Sequence, residues 1–114
     1  MAGARMRRVD EAVRAVLSEA ISKDLQDPRV GFVTVTAVKT SQDLRQARVY
    51  VSVLGDAAAC ADSLEGLRSA HGYLRSRVAG ELRLKHTPTL TFDYDESVVR
   101  AIRVSQLIDQ EGNE

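Results

Sequence analysis

The stretch that decides the fold is residues 67–94, which read LRSAHGYLRSRVAGELRLKHTPTLTFDY. Apolar side chains recur there at steps of three and four residues, the spacing of a helix face that packs on a core. The other side is basic, and Glu81 is the only acidic residue between Leu67 and Pro88. Beyond Pro88, apolar and polar residues alternate, which is typical of a half-buried strand. We therefore expect a helix that carries every cation from Arg68 to Lys85, followed by a strand.

A glycine interrupts the basic side of this predicted helix. Gly72 lies between Arg68 and Arg75, and a glycine inside a helix costs roughly 1 kcal/mol relative to alanine. Two compatible features could offset that cost. Either the helix bends at Ala70-His71-Gly72, or a polyanion lies against the glycine and is held by the flanking arginines. A third interpretation is a solvated basic face with an accidental glycine.

Length and composition limit the classes of function. A chain of 114 residues forms one domain with a single core, which leaves no room for a separate catalytic domain. Sixteen basic and sixteen acidic residues cancel, so the chain as a whole is not a polycation. The charge is instead segregated, because residues 68–85 contain five basic residues and one acidic, whereas residues 93–114 contain six acidic residues and two basic. A basic face that docks on RNA is therefore the main hypothesis.

Cysteine usage and the chain start indicate a compartment. Cys60 is the only cysteine, which excludes an intramolecular disulfide and favours a reducing cytoplasm. No apolar segment typical of a signal peptide follows the basic start at Arg5, Arg7 and Arg8, and no membrane-spanning run is present. We expect a cytoplasmic protein without a membrane partner.

Local patterns predict the remaining elements. An amphipathic helix runs from Met6 to about Leu25, strands cover 32–40 and 47–54 around a turn, and Asp56 or Asp62 caps the second helix. In the first strand, Val33 and Val35 should share one face and Val38 the opposite face. Ser97 can cap a short helix with Val98, Val99, Ile102 and Leu107, before an acidic tail from Asp109.

These elements give the order α-β-β-α-kink-α-β, an α+β domain with a three-stranded sheet covered by helices on one face. Apolar residues from every element should meet between the sheet and the helices. The predicted core comprises Val13, Leu17, Ile21, Val33, Val35, Val49, Val51, Val53, Leu67, Leu74, Val78, Leu82, Leu90, Phe92 and Tyr94.

Several motifs in this order and spacing are familiar. They are Arg8-Val9, Asp27-Pro28-Arg29, Ser41-Gln42-Asp43-Leu44, Ala47-Arg48-Val49-Tyr50-Val51-Ser52, Ala70-His71-Gly72-Tyr73-Leu74-Arg75 and Pro88-Thr89-Leu90-Thr91-Phe92. Together they cover nearly the whole chain, which thus resembles the bacterial ribosome-binding factor A family. The resemblance implies a type II KH-like domain over residues 1–108 and a flexible tail over 109–114. It also implies an interhelical kink at Ala70-His71-Gly72, in place of the usual Gly-x-x-Gly clamp.

The resemblance further implies a function without catalysis or cofactors. Similar proteins bind the free small (30S) ribosomal subunit and its 16S RNA during late maturation, assist processing of the RNA 5′ end and support growth in the cold. We expect a monomer that contacts RNA through its basic face and the N-terminal arginines. The candidate RNA-binding residues are Arg7, Arg8, Arg14, Arg68, Gly72, Arg75, Arg77, Arg83 and Lys85.

Other chemistry is weakly supported. Asp93 and Asp95 could form an acid/base pair or bind a metal, but no third ligand is near in sequence, so we expect no metal site. Cys60 could pair with a histidine as a nucleophile, yet nothing in the sequence orients them. Few aromatic residues argue against base-by-base stacking and favour recognition of phosphates and shape. The alternative is a protein-interaction module that binds a basic ribosomal protein through the threonine-rich hairpin or the acidic C-terminus.

Overall fold

A computed structural model describes residues 2–97 of the chain. Within that range, helix α1 (Ala2–Lys23) precedes strands β1 (Val33–Thr40) and β2 (Gln46–Val53). Helices α2 (Ala57–Ser69) and α3 (His71–Glu81) then lead to strand β3 (Thr89–Tyr94). This is the predicted α+β order. The predicted helix after Ser97 and the acidic tail lie outside the described residues.

The three strands form one mixed sheet in the order β1-β2-β3. Strands β1 and β2 are an antiparallel hairpin, while β2 and β3 pair in parallel from Gln46–Thr89 to Val51–Tyr94. A parallel pair needs a crossover connection, and α2 and α3 supply it. Alternate residues of β2 are buried and exposed, so the helices cover one face of the sheet.

The core lies between that face and the three helices. Its largest fully buried side chains include Phe92, Leu17, Leu67 and Leu74. Most of the predicted core is confirmed, although Val33, Val53, Leu82 and Tyr94 are only partly buried around it. The structure adds several residues that were not in the predicted core: Val16, Ala20, Val38, Ala47, Leu64.

A β-bulge in β1 corrects one predicted strand face. The register passes from Val35 opposite Val51 to Ala37 opposite Tyr50, so one residue of β1 has no counterpart in β2. An extra residue reverses the in-out alternation beyond it. Val38 is therefore buried on the core face, and the prediction that it lies opposite to Val35 is wrong.

Helix ends also differ from the predicted bounds. Helix α1 begins four residues before Met6, and α2 is capped by Asp56, whose carboxylate accepts a hydrogen bond from the Ala59 N–H at 2.8 Å. Helix α3 ends at Glu81, because Leu82 has an extended backbone (φ −114°, ψ 134°). Arg83 and Lys85 thus lie on the loop before β3, and the prediction that the helix carries them is wrong.

None of the helices in residues 2–97 has the length and hydropathy needed to cross a bilayer.

Candidate nucleic-acid interface

The two crossover helices meet at a sharp break. Ala70 leaves the helical region (φ −90°, ψ 7°), while its N–H still bonds the carbonyls of Gly66 and Leu67, each at 3.1 Å. Helix α3 restarts at once, since the Leu74 N–H donates to the Ala70 carbonyl at 3.0 Å. The helix is thus interrupted at Ala70, the first residue of the predicted kink at Ala70-His71-Gly72. The Nδ1 of His71 lies 2.8 Å from the Arg68 carbonyl oxygen, so this ring supports the bend from outside.

Gly72 is not the pivot of the bend but an open spot beside it. It is exposed, and a Cβ built on it would meet no heavy atom within 4 Å. Neither core packing nor backbone strain therefore requires a glycine there. The surface at Gly72 is open enough for another backbone to approach closely.

Arg68 and Arg75 flank this open spot, and both bond backbone carbonyls of β3 or of the loop before it. Arg68 Nη2 donates to the Phe92 carbonyl at 3.1 Å. Arg75 donates to the Thr87 carbonyl at 2.9 Å and the Pro88 carbonyl at 3.3 Å. A guanidinium carries five N–H donors, so both groups are held in place with donors still free for a ligand. Both residues are exposed.

Arg77, in contrast, is ion-paired with two carboxylates. Its guanidinium bonds Asp24 on one side and Glu81 Oε1 on the other at 2.7 Å, and its side chain is 24% exposed. The bond to Glu81, then the contact with Tyr73 and the charge of Asp24, raise the pKa of Arg77 above its ordinary value. The Tyr73 hydroxyl also donates to Asp24, at 2.6 Å. The cluster fastens α3 to the end of α1.

The N-terminal arginines lie along α1 and differ in their partners. Arg14 is paired with Glu11 one turn earlier, which raises the pKa of Arg14 and lowers that of Glu11. Arg7 Nε makes only a long bond of 3.4 Å to the Gly3 carbonyl. Arg8 has no hydrogen bond or ion pair within residues 2–97.

Arg83 and Lys85 likewise have no intramolecular partner in the described chain, and they line a cavity of about 770 Å³. Arg5 from α1 and Arg45 from the β1–β2 turn line the same cavity. Neither Arg5 nor Arg45 was predicted as a site residue, because no local pattern links segments about forty residues apart. The only available signal was position, since Arg5 lies next to a predicted helix start and Arg45 next to a predicted turn.

The side chains considered for acid/base or nucleophilic chemistry have protein partners. Asp93 Oδ2 lies 3.6 Å from Arg48 Nε, and Asp93 Oδ1 lies 3.9 Å from Arg68 Nη2. Asp95 accepts a hydrogen bond from the Thr36 hydroxyl at 2.6 Å. Cys60 Sγ lies 3.9 Å from the Val53 carbonyl oxygen. Among residues 2–97, no cluster of three or more His, Cys, Asp or Glu side chains is arranged to hold a metal ion.

Comparison with known proteins shows the family of the chain. Residues 5–108 match the family model for ribosome-binding factor A. The chain belongs to this family. It is 44% identical over 108 residues to ribosome-binding factor A of Desulfitobacterium hafniense, covering 95% of this chain and 86% of that protein. It is 46% identical over 108 residues to that of Chromohalobacter salexigens, covering 93% and 82%.

Solved structures of ribosome-binding factor A have the same fold. The crystal structure of the Thermus thermophilus protein matches with a TM-score of 0.70 and 28% identity, covering 78% of this chain and 94% of that one. The solution structure of a putative ribosome-binding factor A from Thermotoga maritima gives a TM-score of 0.71 and 36% identity, covering 78% and 85%. A Thermus thermophilus homology model fitted into a cryo-EM map of a 30S complex gives 0.61 and 30%, covering 74% and 88%. The predicted KH-like α+β fold is thereby confirmed.

Proposed function

We propose that this protein is a non-catalytic assembly factor that binds the 30S subunit and its 16S RNA late in maturation and assists processing of the RNA 5′ end. It acts as a cytoplasmic monomer without a cofactor and supports growth in the cold. The observation that carries the proposal is the likeness to the Thermus thermophilus protein fitted into a 30S complex, at a TM-score of 0.61. That likeness supports a ribosomal partner, and the residues of this chain support the chemistry of contact.

The surface at the kink suits phosphate binding. Arg68 is already ordered by a carbonyl of β3 and Arg75 by carbonyls of the loop before it, so binding RNA costs less side-chain entropy than ordering two free arginines. Their remaining N–H groups can donate to phosphate oxygens on either side of the bare backbone at Gly72. Arg77 has the same charge, but it is ion-paired with Asp24 and Glu81, so we assign Arg77 a structural role.

The test is the salt dependence of binding to purified 30S subunits. Neutralising phosphates releases counterions, so log affinity should fall steeply with log salt. Arg68→Gln and Arg75→Gln should each weaken binding and reduce the slope by about one. Lys39→Gln is the control, since Lys39 is an exposed cation on β1, which β2 separates from β3. A flat salt response, or equal effects in all three variants, would refute the phosphate-contact mechanism.

A second candidate function, binding of a basic ribosomal protein, is favoured by one feature of the hairpin. Phe32 is 81% and Leu54 77% exposed, and the Leu54 N–H donates to the Phe32 carbonyl at 3.1 Å. Residues directly opposite in an antiparallel pair point to the same face, so the two apolar side chains adjoin. The exposed carboxylate of Asp56 lies next to them in sequence and would suit a basic partner.

Comparing intact subunits with protein-free 16S RNA separates the two functions. Under the main proposal the naked RNA retains most of the affinity, and Phe32→Ser has little effect. Under the second, naked RNA does not bind, and Phe32→Ser with Leu54→Ser abolishes binding to the intact subunit.

A further inference from the structure

We propose that the cavity lined by Arg5, Arg45, Arg83 and Lys85, hereafter the basin, is a second binding site that takes a short segment of single-stranded RNA. The inference shares with the proposed function the assumption of an RNA ligand, but it concerns a different surface from the kink. The basin joins the start of α1, the β1–β2 turn and the α3–β3 loop.

Three of the four cations of the basin have no partner within residues 2–97, and the fourth, Arg45, makes only a long contact with Asp43. Within residues 2–97, Arg5, Arg83 and Lys85 make no hydrogen bond or ion pair, whereas Arg68, Arg75 and Arg77 all have partners. Unpaired like charges that converge on one concave surface repel one another and raise the local concentration of anions. The arrangement therefore favours a polyanionic ligand.

The one carboxylate in the basin does not cancel this charge. Asp43 accepts hydrogen bonds from the Ser41 hydroxyl at 2.6 Å and the Arg45 N–H at 3.1 Å. The hydrogen bond from the Ser41 hydroxyl, and then the one from the Arg45 N–H, lowers the pKa of Asp43. The carboxylate is therefore ionised, and it stabilises the turn in which it lies. Its contact with Arg45 Nε is long, at 3.8 Å. The first turn of α1 contains no acidic residue, so its positive dipole end adds to the field.

The shape and floor of the basin suit nucleotides from a single strand. A cavity of about 770 Å³ is in the range of small-ligand sites and has room for about one or two nucleotides. Half-buried side chains of Val9, Leu44 and Leu84 give it an apolar floor against which a base or ribose can pack. A duplex carries its phosphates on a rigid convex surface and cannot enter a recess, whereas a flexible strand can.

Backbone strain marks the same place. Leu44 has φ 60°, the left-handed region that leucine rarely adopts, and it is the one non-glycine residue with positive φ in the described chain. Hydrogen bonds of the turn hold it there, from the Leu44 N–H to the Ser41 carbonyl at 2.9 Å. Strain of this kind concentrates at binding sites. The following residue, Arg45, lines the basin.

The experiment measures binding of a labelled uridine pentanucleotide to the full chain by fluorescence anisotropy. The double variant Arg83→Gln/Lys85→Gln should weaken binding at least roughly tenfold, as expected for lost charge-assisted hydrogen bonds, and lower the salt slope by about 1.4. Lys39→Gln should leave binding within about twofold. Thermal unfolding of each variant checks that the fold is retained.

Competitors identify the source of the phosphates. The same sequence as a duplex, and tripolyphosphate at equal charge, should compete at least roughly tenfold less well than the unlabelled single strand. Equal competition by the duplex, or stronger competition by tripolyphosphate, would overturn the assignment to single-stranded RNA. If the pentanucleotide fails to bind while 30S subunits still bind through Arg68 and Arg75, only the basin proposal is refuted. If neither binds, the proposed function fails as well.

Discussion

Gly72 allows the sharpest test of the candidate interface, because folding and binding should respond to it in opposite directions. A methyl group added at Gly72 meets no heavy atom within 4 Å, so Gly72→Ala causes no clash. Alanine restricts the unfolded chain and has the better helix propensity, which should stabilise the domain by roughly 0.5–1 kcal/mol. For a domain of this size that raises Tm by a few degrees.

Binding should change the other way if RNA backbone lies against this spot. The added methyl separates the RNA from both flanking guanidinium groups, and losing one charge-assisted hydrogen bond costs about 1.5–3 kcal/mol. Gly72→Ala should then weaken 30S binding roughly tenfold, and Gly72→Leu should weaken it further in proportion to its bulk. The two measurements are thermal unfolding and 30S affinity at matched salt.

Gly80 provides a matched control on the same helix. It is exposed and equally open, since a Cβ there would also meet nothing within 4 Å. Gly80→Ala should give the same gain in stability, while 30S affinity stays unchanged. A folded Gly72→Leu variant that binds as tightly as the native chain would remove this spot from the interface, and the N-terminal arginines would become the leading candidates.

Three further predictions concern the fold. Gly66→Ala should destabilise the domain by about 1–3 kcal/mol in urea unfolding, because the new methyl would lie 2.6 Å from Val30 Cγ2. An unchanged urea midpoint would show that the Val30 side chain moves aside without cost. Side-chain and then backbone hydrogen bonds from Arg29 hold the pKa of Asp27 at about 2, so the carboxylate stabilises the fold above about pH 4 and loses that effect as pH falls to about 2. Asp27→Asn should therefore flatten the fall of Tm over that interval, and an equal fall in both proteins would contradict this role. The buried hydroxyl of Tyr94 makes no hydrogen bond of ordinary geometry in the described chain, and burial, then the neighbouring Cys60 thiol, raises its pKa to about 12. Tyr94→Phe should leave Tm unchanged or raise it, whereas a clear drop in Tm would reveal a partner for the hydroxyl.

The features that the sequence predicted correctly are the ones that neighbouring residues determine. A helix cap at one of two candidates, Asp56 or Asp62, the hairpin turn and the helix break at Ala70 each depend on a few consecutive residues. The bulge in β1 could not be predicted, because an extra residue in a strand is defined by its pairing with β2. Val38 therefore faces the core although simple alternation places it outside.

The candidate site was predictable only as a set of charges. Sequence spacing placed Arg68, Arg75 and Arg77 close together, but it gave no sign that Asp24, some fifty residues earlier, pairs with Arg77. The partner of an arginine depends on tertiary packing, and this decides whether its charge is free for a ligand. For the same reason the basin, built from three distant segments, could not be found by reading along the chain.

The parallel pairing of β2 with β3 determines when the candidate interface forms during folding. The hairpin joins strands a few residues apart, whereas β3 reaches β2 only after α2 and α3 have crossed the sheet. Local contacts form fastest, and during synthesis the N-terminal segments emerge first. The carbonyls that orient Arg68 and Arg75 belong to residues 87–92, so these guanidinium groups acquire their positions only when the last strand docks. A nascent chain thus lacks the surface with which the finished protein would engage a subunit.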